Sequence, residues 1–434
     1  MSVQLADWLP SLPSGWSMKP FYCVFTERKQ PNVGLAVDTV LSLSYGRIVE
    51  RDVESNHGLL PASFEGYNIV EPRDIVMRLT DLQNDQRSLR TGQVEERGVI
   101  TSAYVTVTPA AEIHPRFAHY LLHGYDLAKL FYRMGGGLRQ SMKFDDLKRM
   151  PVVLPPHTDQ ERIANFLDEQ TARIDALIAE KQALLDSLKK HQYSYASELM
   201  TKGQDSTAQL AETSHPELGA IPAHWAVKRL KFLGEVRSGI AKGKDHGERD
   251  TVLMPYLRVA NVQDGYVDLN TVLEIEVGIH EVERYLLCKG DVLMNEGGDN
   301  DKLGRGTVWE GQIDPCVHQN HVFAVRLFDP RLAEWVARFT STDSARNYFF
   351  LRSKQSTNLA SINQSNVREL PVPMPPKEER EAILAELQRA SAANEELTTH
   401  VVEHLSRLRE YRSSLISAAV TGQLDLSTFK KAVQ

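Results

Sequence analysis

At 434 residues, 42 % of them hydrophobic and 25 % charged, the chain has room for two to four globular domains and too much apolar content for a disordered one. A net charge of −7 excludes a protein that grips nucleic acid through bulk positive charge, because phosphate neutralisation needs a local excess of Lys and Arg. No run approaches the roughly 18 consecutive apolar residues of a membrane-spanning helix.

The N-terminus carries Asp7 early and prolines at 10 and 13, without the basic and apolar regions of a signal peptide, so a cytoplasmic location is expected. Residues 1–156 form a first globular segment that opens with Leu12-Pro-Ser-Gly-Trp16. Its strand-like runs are Tyr22 to Phe25, Thr39 to Leu43, Asp74 to Leu79 and Val99 to Thr108, broken by Gly and Pro, and a helix-like stretch follows at Ala118 to Arg133. Met150-Pro-Val-Val-Leu-Pro-Pro156 then leads into a long helical pattern over residues 157–202.

Residues 203–216 are polar, end in His-Pro and read as a linker. A second globular segment, 217–376, opens with Ile221-Pro-Ala-His-Trp225, an offset of 209 from the first opening. Its strand candidates are Val252 to Val259, Asp291 to Met294 and Val322 to Phe328, and its late helix candidate is Arg331 to Phe350. Leu370-Pro-Val-Pro-Met-Pro-Pro376 repeats the first lead-in at an offset of 220, a second helical pattern covers 377–422, and a tail covers 423–434. A period this long is no solenoid repeat; it marks a duplicated head-plus-helix unit with an internal pseudo-two-fold. Residues 1–156 hold 17 basic and 17 acidic residues and residues 217–376 hold 19 and 21, so both heads are close to neutral.

Both helical patterns step by alternating fours and threes. The apolar seam expected from the first is Ile163, Leu167, Ile174, Leu177, Leu184 and Leu188; from the second it is Ile383, Leu387, Leu397, Val401, Leu408 and Leu415. Rods of roughly 50 Å with one apolar stripe need a partner, so the two are expected to form an antiparallel coiled coil. The register that best matches polar positions sets Lys181 opposite His404 and His191 opposite Asn394, and leaves Gln170 facing Leu415.

Signatures of catalysis are missing. There is no phosphate-binding G-x-x-x-x-G-K-[ST] or G-x-G-x-x-G, no H-E-x-x-H, no G-x-S-x-G and no Pro-Asp dipeptide of the kind that begins a nuclease carboxylate set. Leu154-Pro-Pro-His157 and Met374-Pro-Pro-Lys377 lack the Asn or Asp of an amino-methyltransferase loop and read as rigid helix entries. Cys23, Cys288 and Cys316 share no C-x-x-C spacing, and His318 and His321 beside Cys316 have no second pair to complete a zinc site. Gly135-Gly-Gly137 lacks the Lys-Ser of a phosphate loop and reads as a helix end. No cofactor and no metal are therefore expected. Basic residues on polar, Gly-bearing loops are the candidates for contact with nucleic acid: Arg47, Arg87 and Arg90 in the first head, and Lys242, Lys244, Lys302, Arg305 and Lys354 in the second.

These motifs in this order resemble the specificity subunit of Type I restriction-modification systems, and the resemblance covers nearly the whole chain. It rests on the Pro-x-x-Trp openings at Trp16 and Trp225, on Tyr256-Leu-Arg-Val-Ala-Asn261 and Gly290-Asp-Val-Leu-Met294, and on the Ser141 to Leu147 and Ser361 to Val367 lead-ins. Ser417-Ala-Ala-Val-Thr-Gly-Gln-Leu-Asp425 closes it. The resemblance implies an α+β (mixed) fold, with two target recognition domains held apart by an antiparallel pair of long helices. It implies a non-catalytic subunit that reads a bipartite, asymmetric double-stranded DNA site and docks two methyltransferase subunits and the restriction (helicase-nuclease) subunits. An adaptor that binds only proteins through its coiled coil is the alternative, and a methyltransferase would need a cofactor loop that the sequence lacks.

Overall fold

The computed structural model describes residues 12–51, 63–84, 89–133, 141–243, 250–298, 303–355 and 360–426. The chain forms two compact units, Met1–Gln182 with Val402–Gln434, and Ala183–Val401.

The first unit begins with β1 (Ser17–Pro20), a helical turn α1 (Phe21–Val24) and β2 (Phe25–Glu27). The run expected as a strand from Tyr22 to Phe25 is thus mostly helical, because Phe21 and Val24, three apart, both turn into the core. A hairpin follows, β3 (Leu41–Ser44) with β4 (Arg47–Glu50), then β5 (Asn68–Val70), β6 (Ile75–Met77), β7 (Thr91–Gln93), β8 (Gly98–Ile100) and β9 (Val105–Pro109). Next come α2 (Pro115–Leu127), α3 (Phe144–Leu147) and β10 (Pro151–Leu154). The central sheet is antiparallel in the order β2-β9-β6-β7, and β1 pairs separately with β10. Phe117, Leu121 and Tyr125 of α2 pack on Phe21, Ile75, Met77 and Val107 to form the head's core. The Gly135-Gly-Gly137 segment lies outside the described residues.

A long helix, α4 (His157–Lys202), starts at the Pro155-Pro156 entry. The segment expected to be a linker contains β11 (Leu210–Glu212), which pairs with β12 (Ala220–Pro222); ladder hydrogen bonds give these polar residues a fixed path. The second head then repeats the first. It contains β13 (Ala226–Arg229), β14 (Gly234–Ser238), β15 (Thr251–Leu257), β16 (Leu273–Gly278), α5 (Val282–Tyr285), β17 (Val292–Asn295) and β18 (Gly297–Gly298). There follow β19 (Gly306–Val308), β20 (Val317–His318), β21 (Val322–Leu327), α6 (Ala333–Thr340) and α7 (Asp343–Arg352). The single helix expected from Arg331 to Phe350 is broken at Ser341-Thr342, where the Thr342 hydroxyl accepts from Ala345 N and caps a new helix. The head closes with β22 (Lys354–Gln355), β23 (Ala360–Ser361), α8 (Gln364–Arg368) and β24 (Pro371–Met374), before α9 (Lys377–Val420).

The duplication holds at the level of register. Ser17 pairs with Leu154 in the first unit and Ala226 with Met374 in the second, which keeps the offsets of 209 and 220. The second sheet, β14-β21-β17-β19, matches β2-β9-β6-β7 strand for strand. Asp74 and Asp291 sit at the same turn: each carboxylate accepts from the backbone three residues before it, Glu71 N and Cys288 N, both at 2.8 Å. Each is also paired with an arginine, Arg28 at 2.5 Å and Arg326 at 2.8 Å.

Each unit also contains part of both long helices. In the first, Ile163, Leu167 and Ile174 of α4 share a core with Leu415, Ile416 and Ala419 of α9. In the second, Leu199 and Met200 share one with Ile383 and Leu387. There the pairing runs antiparallel: Asn394 donates to Gln192 at 2.8 Å, and three residues on, Tyr195 donates to Glu386 at 3.0 Å. Every second expected seam position is correct and the alternate track is one residue early. Leu177 and Leu397 are both 45 % exposed and Leu184 is 36 % exposed, whereas Leu405 is buried. The inward positions are Thr171, Ile178, Leu185 and Gln192 on α4, and Ser391, Thr398, Leu405 and Arg412 on α9, again 220 apart. His404 is exposed and does not face Lys181, and Asn394 meets Gln192 rather than His191.

The helix ends are fixed by glycine. Gly203, at φ +75°, donates its N–H to Leu199 O and lies against Trp225, whose indole N–H donates to Glu379 at 3.0 Å. Gly422, at φ +71°, lies against Pro13 and Trp16. Each tryptophan of the duplicated openings therefore packs on the end of the helix that began in the other half of the sequence.

Candidate nucleic-acid interface

The basic residues picked from the sequence divide by what holds them. Arg47, at the start of β4, is exposed, and its guanidinium donates to Asp175 of α4 at 2.8 Å. Arg412 of α9 donates to the same carboxylate, through Nε at 2.8 Å and Nη2 at 3.2 Å. The turn end of the hairpin is thereby tied to both helices within this unit.

Arg90 is a correction. It is fully buried, not on an exposed loop. Its Nε donates to the Tyr132 hydroxyl at 2.8 Å, Nη1 to the carbonyls of Arg78 and Thr80, and Nη2 to that of Asp81. Its backbone N–H donates to Asp126 at 2.7 Å. A buried guanidinium needs its donors satisfied, and a ring of carbonyls does that here. Arg90 thus closes the turn between β6 and β7 and is unavailable to DNA.

Arg305 is the topological counterpart of Arg90. Asn295 N donates to Arg305 O across the β17–β19 turn just as Arg78 N donates to Arg90 O across the β6–β7 turn. Yet Arg305 is only half-buried, and its Nη1 donates to Gln263 at 3.0 Å. Its Nε is buried with no hydrogen-bond partner. Beside Gln263, Asp264 accepts from the Ser341 hydroxyl and from Arg346 at 2.8 Å. The Arg346 guanidinium lies 4.7 Å from the Tyr193 ring centroid on α4. Arg346, Gln263, Asp175 and Arg412 were not picked out from sequence, since their partners lie tens of residues away.

Lys242 is exposed in the turn after β14, and Lys354 is exposed on β22, which pairs through β23 with the Gly297-Gly298 strand. Arg87, Lys244 and Lys302 lie outside the described residues.

Histidines are structural in both heads. His123 is buried on α2, its Nδ1 3.3 Å from the Thr91 hydroxyl, and burial, then the neighbouring His119, pushes its pKa down to about 3. His318 is buried with Nδ1 2.6 Å from Val322 O, and burial lowers it to about 4. His321 pairs instead with Glu296 at 2.6 Å, so His318 and His321 point to different partners. Among the described residues no group of three or more His, Cys, Asp or Glu side chains is placed to hold a metal ion. Among the same residues, no helix is long and apolar enough to cross a membrane.

No protein-family profile matches the chain. In sequence it is 26 % identical over 285 residues to the Type I restriction enzyme EcoKI specificity subunit of Escherichia coli (strain K12), covering 64 % of this chain and 58 % of that protein. It is 25 % identical over 170 residues to the putative type I restriction enzyme MjaX specificity subunit of Methanocaldococcus jannaschii, where it spans 39 % of the relative. These two matches thus reach less than two thirds of the relatives' length. The match to the Type I restriction enzyme StySPI specificity subunit of Salmonella potsdam is 21 % identical and covers 95 % of this chain and 90 % of that one. In fold, the chain superposes with a TM-score of 0.67 and 14 % identity on a chain solved in work on complex assembly and conformational transition of the type I R-M system, covering 95 % and 100 % of the two.

Proposed function

We propose that this chain, similar in sequence to Type I restriction enzyme specificity subunits, is the non-catalytic DNA-recognition subunit of a Type I restriction-modification complex. Each head reads one half of a bipartite, asymmetric site in double-stranded DNA, and the chain carries two methyltransferase subunits and the restriction subunits in the cytoplasm. The heads correspond to residues 1–156 and 217–376, and the helices to 157–202 and 377–422.

The observation that carries this reading is the repeat of one fold with its strand register intact, Ser17 on Leu154 and Ala226 on Met374. Two copies of one reader suit two half-sites. Near-neutral heads fit as well: the subunits that dock can supply the phosphate grip, leaving the heads to provide discrimination, which comes from base contacts rather than charge.

The test is DNA binding by the purified chain with and without the neighbouring methyltransferase subunits, on random duplexes and on duplexes bearing the motif methylated in the source cell. The proposal predicts selective retention of the motif once the methyltransferase subunits are present. Protein association with no preference for any duplex would identify an adaptor instead.

A further inference from the structure

β3 and β4 are joined by two residues only, Tyr45 and Gly46, since Ser44 pairs with Arg47. Their φ values are +47° and +78°, the backbone of a type I′ turn, whose first position suits Asn, Asp or Gly. A bulky side chain in that left-handed region is an outlier. Packing offers no compensation, because Tyr45 is 88 % exposed. Backbone strain without a packing return points to a side chain kept for a task when its setting also suits a ligand.

The second head presents a counterpart at the same place in its fold. Val40, just before β3, bridges Val99 in parallel, as Tyr256, at the end of β15, pairs in parallel with Val317. The chain that follows each of these makes a hairpin. In the second head the hairpin is closed by the Val262–Val267 bridge and a hydrogen bond from Gln263 N to Tyr266 O at 3.0 Å. Its two loop residues are Asp264 and Gly265, the latter at φ +80°, and Tyr266, 60 % exposed, closes the turn where Arg47 does in the first head.

The two turns also agree in charge. Asp175 is shared by Arg47 and Arg412. Asp264 is engaged by Arg346 while Arg305 is held by the adjacent Gln263. Each set holds two guanidiniums and one carboxylate, an excess of one positive charge, although in the second only Arg346 bonds the carboxylate. An exposed ring beside a cationic turn suits nucleic acid: the ring lies on a sugar or base face while the cation draws a phosphate. A protein anchor would sit among other apolar side chains, whereas Tyr45 is flanked by Ser44, Gly46 and Arg47.

We infer that Tyr45 and Tyr266, two turn positions apart on corresponding hairpins, are DNA contacts, one for each half-site, that seat the heads on the duplex. The inference rests on the proposed function and adds to it the contact point of each head. In the complex with methyltransferase subunits, p-benzoylphenylalanine at position 45 or 266 is irradiated on duplexes whose two half-sites carry different labels. Position 45 is expected to link to one half-site and position 266 to the other. Tyr45→Ala and Tyr266→Ala are expected to weaken binding about tenfold, the value of one lost aromatic stack. Tyr45→Asn separates contact from folding, because Asn suits the turn: the fold should be at least as stable while affinity falls equally. Wild-type affinity in Tyr45→Asn and Tyr266→Ala, or crosslinks to protein subunits alone, would overturn the inference while leaving the proposed function standing. A wild-type complex blind to its methylated motif would overturn both.

Discussion

Arg73 stands at φ +81° in the turn position that Gly290 holds at φ +92° in the other head, each donating its N–H to the strand opposite, to Val94 O and Trp309 O. A residue with a Cβ is strained there by about 1 to 2 kcal/mol, of which glycine's greater freedom in the unfolded chain takes back part. Arg73→Gly is therefore expected to stabilise the first unit by roughly 1 kcal/mol, and Gly290→Arg to destabilise the second by a similar amount. Urea midpoints of the two variants check this, and a loss of stability in Arg73→Gly would show that its side chain contributes contacts that outweigh the strain.

Gly203 and Gly422 end the two long helices against tryptophans. A Cβ at Gly203 would lie 3.1 Å from Cζ2 of Trp225, and one at Gly422 would lie 3.0 Å from Cη2 of Trp16 and overlap the Pro13 ring. With the left-handed backbone added, Gly422→Ala should cost about 2 to 3 kcal/mol and Gly203→Ala somewhat less. Tryptophan fluorescence during denaturation reports the sites directly.

The inward track of the helix pair separates two otherwise similar leucines. Leu405 is 4 % exposed and Leu397 is 45 % exposed. Leu405→Ala should cost roughly 2 to 4 kcal/mol and Leu397→Ala under about 1. A larger cost for Leu397→Ala than for Leu405→Ala would place the seam on the other track.

Acid should loosen both heads. His123 and His318 are held neutral, with pKa values near 3 and 4 against 6.5 in the open chain. The unfolded chain binds more protons in that interval, so the stability these residues confer is complete above pH 6.5 and is lost as pH falls from 6.5 toward 4 and then 3. His123→Gln and His318→Gln should each flatten the decline in urea midpoint between pH 7 and pH 5. An unchanged slope in both would mean that neither imidazole is held neutral by the fold.

Much of this architecture was legible. The Pro-Pro entries at 155 and 375 announced both helix starts because proline fixes the backbone just where a first turn begins, and the repeated Trp16 and Trp225 motifs announced the duplication. The seam was half legible: Leu177 and Leu184 sit beside the equally apolar Ile178 and Leu185, so composition does not choose between the tracks, and Leu397 is more apolar than its inward neighbour Thr398. Two successive steps of four, at 163, 167 and 171, set the phase, and only packing reveals them. At the candidate interface, Arg47 and Arg305 could be picked from loop chemistry. The burial of Arg90 could not, because its cage includes Tyr132, 42 residues away. Tyr45 was not picked out, because its exposure and left-handed backbone appear only in the structure.

The central claim, that each head reads its own half-site, is tested most directly by exchanging residues 17–145 for the equivalent segment of a relative of different specificity and sequencing the methylated motif in cells that supply the partner subunits. The account predicts a motif with one half replaced and the other half unchanged. A change in both halves, or in neither, would contradict it.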